Sequence, residues 1–193
     1  MKTIIKYELV INEALRSALN YDTPDEQINE FIRFFGKHIG SDRIYIFEDC
    51  DEKHVTKNTY EWCADGIVPE IHELQNVDMD IIGWWYQAFG SEKNIIITDI
   101  EQIKDEHRES YNLLKAQNVK NLVVCPIRYK DEIKGFFGVD NPPESDTLGL
   151  TTFLDMIGTL LISLLKLRNS FTKSNKEATV SYTHLRAHET ELH

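Results

Sequence analysis

The densest apolar pattern of the chain lies within residues 119–143. Residues 122–127 are apolar and largely β-branched, a charged turn follows, and residues 133–139 are apolar again. Two short apolar runs joined by a polar turn indicate neighbouring strands. The second run stops at Pro142 and Pro143, because proline cannot donate to a ladder and restricts the residue before it. The pattern therefore predicts an antiparallel hairpin.

The rest of the chain alternates between helical and extended patterns. Apolar residues at helical spacing predict helices over 4–19, from 24 to about 40, over 79–89, over 101–117 and over about 147–170, and shorter apolar runs predict strands over 44–48, 55–63 and 94–98. Residues 67–78 are interpreted as a short helix plus loop. The 24–40 helix has a clear start, with Thr23 as N-cap and Pro24 at its first position. Since two strand pairs are joined directly by turns, we expect an α+β fold, with a central antiparallel sheet of five to six strands flanked by helices.

The last helix has an apolar surface wider than one sheet face needs. One set of residues follows a 4-3-4-3 spacing: Phe153, Ile157, Leu160, Leu164 and Leu167. A second stripe flanks it: Leu150, Leu154, Leu161 and Leu165. A core helix packed on its own sheet explains part of this pattern. Because the 3.5-residue period is typical of paired helices, we interpret the helix as one that also pairs with a second copy of the chain.

Composition narrows the possible functions. The net charge of -11 disfavours nucleic-acid backbones and anionic membrane surfaces as partners. The three cysteines, Cys50, Cys63 and Cys125, are widely spaced and predict neither a disulfide framework nor a zinc site. The first residues lack the pattern of a signal peptide, and the most apolar segment is too short to cross a bilayer. These features favour a cytoplasmic protein.

Four segments in sequence resemble the GAF domain family. They are the helix-strand run FIRFFGKHIGSDRIYIFE, the strand with its aspartate NIIITD, the helix leading into a proline-containing strand, LLKAQNVKNLVVCPI, and the hairpin element KGFFGVDN. Their order and spacing cover residues 22–173. A PAS-like sensor is the nearest alternative.

The resemblance implies a sensor module built on a central antiparallel sheet, which binds a small ligand between the sheet and an overlying helix. GAF domains usually regulate an output domain such as a histidine kinase, a phosphodiesterase or a diguanylate cyclase. The YEWCADG strand and the adjacent tryptophans are most similar to GAF domains that precede GGDEF-type diguanylate cyclases. The implied organisation is an N-terminal helix (1–21), the sensor domain (22–148), a signalling and dimerisation helix (149–173), and a linker with a tail (174–193).

The tail itself resembles a foreign sequence. The string VSYTHLRAHET is similar to translated adapter sequence that recurs at the ends of unrelated metagenomic proteins. Residues 180–193 are therefore interpreted as non-native, and the chain as a fragment cut before its effector. The spacing of His184 and His188 would suit a metal, but a chance feature of such a tail explains it better.

Catalytic motifs are missing from the sequence. It contains no phosphate loop, nucleophile elbow, zinc-protease motif, dinucleotide fingerprint or GGDEF motif. We therefore expect no catalysis, and the sequence does not identify a cofactor. The alternative is a thiol enzyme of the methionine sulfoxide reductase type, which needs two cysteines close together. The expected strand pairing instead separates Cys50 from Cys63, and Cys125 is interpreted as a buried apolar residue.

The expected ligand site combines aromatic and apolar groups between the sheet and its covering helix. Tyr60 and Trp62 alternate on one strand face and are assigned to it. The covering helix and the next strand supply the remaining candidates: Ile81, Trp84, Trp85, Ile97 and Asp99. Since Trp84 and Trp85 are adjacent, at least one of them is expected to lie at a rim. Glu61 is expected to face solvent, and plain core packing of the whole set stays open as an alternative.

Overall fold

The computed structural model describes residues 2–143 and 147–190 of the 193-residue chain. Within them lie five α-helices: α1 (Lys2–Ala18), α2 (Pro24–Ile39), α3 (Gly83–Gly90), α4 (Arg108–Ala116) and α5 (Thr147–Thr190). The start of α2 is as predicted. Thr23 accepts a hydrogen bond from the Glu26 amide while the Glu26 side chain accepts from Thr23, which forms a capping box with Pro24 in the first turn.

One antiparallel sheet contains all six strands of the described residues. They are β1 (Arg43–Cys50), β2 (Val55–Cys63), β3 (Val77–Asp78), β4 (Ile95–Ile97), β5 (Leu122–Tyr129) and β6 (Glu132–Asp140), in the order β3-β2-β1-β6-β5-β4. The α+β expectation and the hairpin of β5 and β6 are confirmed. Residues 67–78 form no helix; they form a loop that ends in the short edge strand β3.

The sheet is covered on both faces, and each face has its own core. On the first face, α2 and α5 pack over alternate strand residues such as Ile44, Ile46 and Phe137, and α1 packs against α2 and α5. On the second face, α3 and α4 pack over the intervening residues, among them Tyr45, Phe47 and Phe136, and the edge strand β4 contributes Ile95 and Ile97 to the same core. Alternation along each strand thus sends neighbouring side chains to different cores.

The long helix α5 has an inward and an outward stripe. Its inward residues are buried against the first face: Leu150, Phe153, Leu154, Ile157, Leu161 and Leu165. Leu160 and Leu164 are half-buried, and Met156, Leu167 and Phe171 are exposed. The 4-3-4-3 set of the sequence is therefore divided between the core and the outer surface.

The helix also continues well past residue 170. It runs through the expected linker at 174–177 to Thr190, because residues 171–190 contain neither proline nor glycine to stop it. Ser145 and Asp146, the expected cap, and residues 191–193 lie outside the described residues. Over the part of the chain that is described, no helix has the length and apolar character needed to span a bilayer.

Candidate functional site

A small internal cavity lies on the second face of the sheet, beneath α3 and α4. It encloses about 40 Å³. Its walls come from β1, β2, β3, β6, the loop before β3, and α3 and α4 with their flanking residues: Arg43, Tyr45, Phe47, Asn58, Glu61, Leu74, Val77, Ile82, Trp85, Leu113, Leu114, Gln117 and Phe136. We refer to it as the inner cavity.

A β-bulge determines which side chains of β2 reach this cavity. Ile46 of β1 pairs with Tyr60 and Phe47 pairs with Asn58, so Thr59 is an extra residue in the ladder. The extra residue puts Asn58 and Glu61 on the same face although they are three apart. The Asn58 amide group Nδ2 donates to Glu61 Oε1 at 3.1 Å.

The apolar side of the cavity is an aromatic wall. The Phe47 and Phe136 rings stack with 4.7 Å between centroids, and Tyr45 and Trp85 meet these rings edge-on at 5.5 Å. Gly138 makes room for Tyr45, since a Cβ at this position would collide with the tyrosine ring. Edge-on and offset pairs are favourable arrangements for aromatic rings and give the wall a defined shape.

The polar side is a buried charge cluster centred on Arg43. Its Nη1 donates to Asp140 Oδ2 at 3.0 Å, and its Nε lies 3.5 Å from Glu61 Oε1. All three side chains are only 2–3% exposed. Burial raises the pKa of Asp140 to about 6, although the Arg43 charge opposes the rise. Burial and the Asp140 charge raise the pKa of Tyr45 well above its usual value. The cluster thus contains one cation for two carboxyl groups.

The same residues hold the loop between β2 and β3. Arg43 Nη2 donates to the Val68 carbonyl at 2.9 Å, and Glu61 Oε2 accepts from the amides of Glu70 and Ile71 at 2.9 and 3.1 Å. Backbone atoms of Asn58 bond Leu74 and Gln75 further along this loop. A change at Arg43 or Glu61 would therefore be transmitted directly to the loop.

Several buried polar atoms of this region have no hydrogen-bond partner among the described residues. They are Arg43 Nε, Asn58 Oδ1, Trp85 Nε1 and Asp140 Oδ1, with Asn121 Oδ1 near the end of β5. A buried polar atom without a partner costs about 1–3 kcal/mol. Three of these atoms belong to residues that line the inner cavity, which marks it as the place where a bound molecule would relieve such a cost.

A second, outer cavity of about 100 Å³ lies next to the first. Its lining contains three acidic residues, one basic residue and six neutral ones: Asp42, Arg43, Gly66, Ile67, Val68, Glu70, Gln117, Asn118, Asp140 and Asn141. Arg43 and Gln117 line both cavities. The two cavities are therefore adjacent at these residues.

The structure divides the expected ligand site into separate parts. Trp85 is buried and lines the inner cavity, whereas Ile81 and Ile97 belong to the second core without lining it. Trp84 is half-buried, stacks on a histidine and donates to Ser110 Oγ at 2.9 Å, so it is the rim member of the tryptophan pair. Asp99 is exposed and caps a short 3₁₀ turn by accepting from the Glu101 amide.

Tyr60 and Trp62 lie on the first face, so the expectation that they face the covering helix is wrong. Trp62 packs against α2 at Gly36, where a Cβ would collide with the indole. The Tyr60 hydroxyl donates to Asp25 and accepts from Arg168 Nη1 of α5 at 3.1 Å. The alternation of Tyr60 and Trp62 was predicted correctly, but the face was not. Glu61, expected in solvent, is the residue of this strand segment that enters the cavity.

The sequence reasoning also missed Arg43, Tyr45 and Phe47. A signal for two of them existed, because Tyr45 and Phe47 alternate along the predicted strand 44–48, and Arg43 directly precedes that strand in the same alternation. Alternate residues of a strand lie on the same face, so these side chains would all line a pocket on that face of the sheet. Asn58 could not have been found this way, because its position depends on the bulge.

The cysteines do not form a reactive pair. Cys50 pairs with Val55 and Cys63 pairs with Arg43, at opposite ends of the β1–β2 ladder, which separates them by roughly 20 Å. Burial raises the pKa of the Cys63 thiol to about 11, and Cys125 is buried. The expected separation of Cys50 from Cys63 is confirmed.

The fold is thus a six-stranded antiparallel sheet with helices on both faces and a small cavity on one of them. The sequence model of the GAF domain family matches residues 23–162, which is most of the chain. The chain therefore belongs to the GAF domain family.

Individual relatives are distant. The methanogenesis regulatory histidine kinase FilI of Methanothrix harundinacea is 24% identical over 127 residues, and the match covers 64% of this chain but only 14% of the kinase. Two solved structures share the fold. The phycocyanobilin-bound GAF domain of a cyanobacterial phytochrome has a TM-score of 0.63 at 17% identity, covering 82% of this chain and 94% of that one. The free methionine-R-sulfoxide reductase of Neisseria meningitidis has a TM-score of 0.62 at 9% identity, covering 86% and 92%.

Proposed function

We propose that this chain is a non-catalytic sensory module of a signal-transduction protein, and that it binds a small ligand in the inner cavity. One observation carries the proposal: Asn58 Oδ1 and Trp85 Nε1 are buried without partners, and both residues line a cavity between the sheet and the covering helices of a GAF domain. Buried polar atoms of proteins nearly always have a hydrogen-bond partner, and a molecule bound in the cavity would supply one to each.

The ligand is small. Pockets for drug-sized ligands have volumes of about 300–1,000 Å³, whereas a cavity needs roughly 10–15 Å³ to hold one buried water. At about 40 Å³, the inner cavity has room for a few non-hydrogen atoms. A bilin, the ligand of the similar phytochrome domain, is far larger, so we do not propose one for this chain.

A fragment screen with a cavity-filling variant tests this proposal. We expect at least one compound of a few non-hydrogen atoms to raise the melting temperature of the wild-type protein, because a ligand that binds only the folded state stabilises it. Leu74 lines the cavity, so Leu74→Phe should abolish the response. The measurement is differential scanning fluorimetry, with ligand-observed NMR as a second readout.

The matched control is Leu19→Phe, the same exchange at a leucine that is 76% exposed. It should bind like the wild type. A response that survives Leu74→Phe would place the ligand elsewhere. A complete lack of binders would favour the alternative of a purely structural dimerisation module.

The route from the cavity to α5 runs through β1. Phe47 lines the cavity, and the next residue, Glu48, accepts two hydrogen bonds from Arg168 of α5, each 2.7 Å long. Arg168 also bonds Tyr60 on the neighbouring strand. A ligand that shifts β1 would thereby bias the position of the long helix, which is the kind of rigid-element movement that sensor domains use.

We further propose that α5 pairs with α5 of a second copy. Its outward stripe follows a 4-4-3-4 spacing, with Met156, Leu167 and Phe171 exposed and Leu160 and Leu164 half-buried at the edge of the core. An isolated helix gains little stability without packing, and the last third of α5 extends past the domain. Pairing of two copies would bury this stripe.

Sedimentation equilibrium tests the pairing. We expect Leu167→Glu to weaken self-association at least tenfold without loss of melting temperature for the monomer, since Leu167 is 52% exposed. Leu19→Glu introduces the same charge at another exposed leucine and should leave the association unchanged. Wild-type protein that stays monomeric at high micromolar concentration would contradict the proposal.

The regulated output would follow α5 in the native reading frame. The similarity to a regulatory histidine kinase and the resemblance to GAF domains upstream of GGDEF cyclases support a kinase or a diguanylate cyclase in this role. We propose that residues 180–193 are not native, and sequencing of the source gene beyond residue 173 decides both points. Free cysteines and a net charge of -11 fit a cytoplasmic module without nucleic-acid or membrane partners.

A further inference from the structure

We propose that the ligand of the inner cavity is a small organic cation with N–H donors, that is, a short primary amine. The inference rests on the proposed sensory function and adds the chemical class of the ligand. Charge, hydrogen-bond polarity and the aromatic wall support it independently.

Charge is the first argument. Of the described residues that line the inner and outer cavities, Arg43 is the only basic one, against the acidic Asp42, Glu61, Glu70 and Asp140. Arg43 already contacts Glu61 and Asp140, so one carboxyl group of the buried cluster lacks a compensating charge. A second cation would balance it, whereas an anionic ligand would enter a region of the same charge.

Hydrogen-bond polarity is the second argument. A carboxylate only accepts hydrogen bonds, so the contact with Glu61 Oε1 requires that Asn58 presents Nδ2 to it. This contact fixes the amide orientation, and it leaves Asn58 Oδ1 as an acceptor without a partner. Asn58 is 1% exposed. The group that would satisfy this atom is a donor, as an ammonium is.

The aromatic wall is the third argument. The rings of Tyr45, Phe47, Trp85 and Phe136 surround the apolar side of the cavity. Ring faces attract cations, tryptophan most strongly, and the attraction increases when water is excluded. The same wall would disfavour a small metal ion, which needs a shell of oxygen ligands.

Trp85 also restricts the rest of the ligand. Its Nε1 is a donor without a partner, so a ligand that carries a hydroxyl near its ammonium would use both orphan groups. Short amino alcohols combine the two groups in a molecule of a few non-hydrogen atoms. They match the size of the cavity.

The test compares three molecules with equal numbers of non-hydrogen atoms: ethanolammonium, ethylene glycol and acetate. Each is titrated into the full chain at pH 7.5 and constant ionic strength, by isothermal calorimetry and by tryptophan fluorescence. We expect ethanolammonium to bind at least tenfold more tightly than either of the others. Sodium chloride at the same concentration controls for a general salt effect.

Two variants locate the binding. Glu61→Gln should weaken ethanolammonium binding at least tenfold, because it removes the nearest carboxylate charge. Glu73→Gln changes an exposed carboxylate of the same loop that lines neither cavity, and it should bind like the wild type. If Glu61→Gln does not fold, Trp85→Phe keeps an aromatic ring but removes the donor, and it should weaken binding severalfold.

The outcomes separate this inference from the proposed function. Equal or tighter binding of ethylene glycol or acetate, or no binding of ethanolammonium, overturns the amine assignment. The sensory proposal then still stands if the fragment screen finds a ligand whose binding Leu74→Phe abolishes. Unchanged ethanolammonium binding by Glu61→Gln likewise overturns the assignment, since the cation would then bind elsewhere.

Discussion

Replacing Arg43 by methionine is expected to lower the free energy of unfolding by about 3–5 kcal/mol. Methionine fills a similar volume but leaves Asp140 and Glu61 buried without their cation. It also removes the hydrogen bond to Val68 that holds the loop before β3. Chemical denaturation at pH 8, followed by circular dichroism, measures the loss.

The loss should depend on pH in a defined direction. In the wild-type protein the pKa of Asp140 is raised to about 6 by burial, above the value near 3.9 of an unfolded aspartate. A group with a raised folded pKa contributes stability below its unfolded pKa and loses it as the pH rises through the folded pKa. Without Arg43 the pKa rises further. The deficit of Arg43→Met should therefore be larger at pH 8 than at pH 5.

Two further variants control this experiment. Arg16→Met removes an ion pair with Glu13 in which both side chains are more than half exposed, and it should change stability by less than about 0.5 kcal/mol. Adding Asp140→Asn to Arg43→Met removes one of the unpaired charges and should recover part of the loss at pH 8. A deficit below about 1 kcal/mol for Arg43→Met, or one that grows towards pH 5, would contradict the role assigned to the cluster.

The sequence could predict the elements that depend on local pattern. The β5–β6 hairpin follows from two apolar runs and a charged turn, and the start of α2 follows from Thr23, Pro24 and Glu26. Local signals of this kind act within a few residues, so they can be recognised without the rest of the fold.

The candidate site could not be predicted in the same way. Its centre joins Arg43 to Asp140, which are 97 residues apart, and both look like ordinary charged residues in the sequence. The bulge at Thr59 determines that Asn58 shares a face with Glu61, and the sequence of that strand gives no signal for a bulge. The assignment of Tyr60 and Trp62 to the ligand face was wrong for another reason: alternation shows which residues share a face of a strand, but not which of the two cores that face meets.

The long helix shows an intermediate case. Its period predicted two apolar stripes, but a helix of 3.6 residues per turn drifts relative to a 3.5-residue pattern. Phe153 and Ile157 therefore turn towards the core, while Leu167 of the same set turns outwards. The residue at which the set turns from the core to the outer surface depends on the position of the sheet, which the pattern of the helix does not show.

One short segment of β1 contributes a side chain to the inner cavity on the second face and another to the contact with α5 on the first face. Phe47 reaches the cavity and Glu48 reaches Arg168, so any change in the backbone there affects both. Gly135 of β6 lies opposite Glu48 in the ladder. Its backbone has a φ of +143°, a conformation that L side chains rarely adopt.

Gly135→Ala is expected to cost more than about 4 kcal/mol of unfolding free energy, at the upper end of single substitutions. A Cβ would lie far inside contact distance of the Phe47 carbonyl oxygen, 2.9 Å from its carbon and 3.0 Å from the Glu48 Cα. These are backbone atoms, so the β1–β6 ladder must open to admit it. The yield of folded protein and the denaturant midpoint measure the effect.

Gly83→Ala is the matched control, since a Cβ there meets no atom within 4 Å, and it should leave stability nearly unchanged.

If some Gly135→Ala protein folds, the opened ladder should also separate Glu48 from Arg168 and weaken the fluorescence response to any cavity ligand. Hydrogen exchange would then show faster exchange of the β1 amides, whereas the first turn of α2, at the capping box, should exchange as in the wild type. A Gly135→Ala protein within about 1 kcal/mol of the wild type would mean that β1 and β6 separate there at little cost, and β1 could then not carry a signal from the cavity to α5.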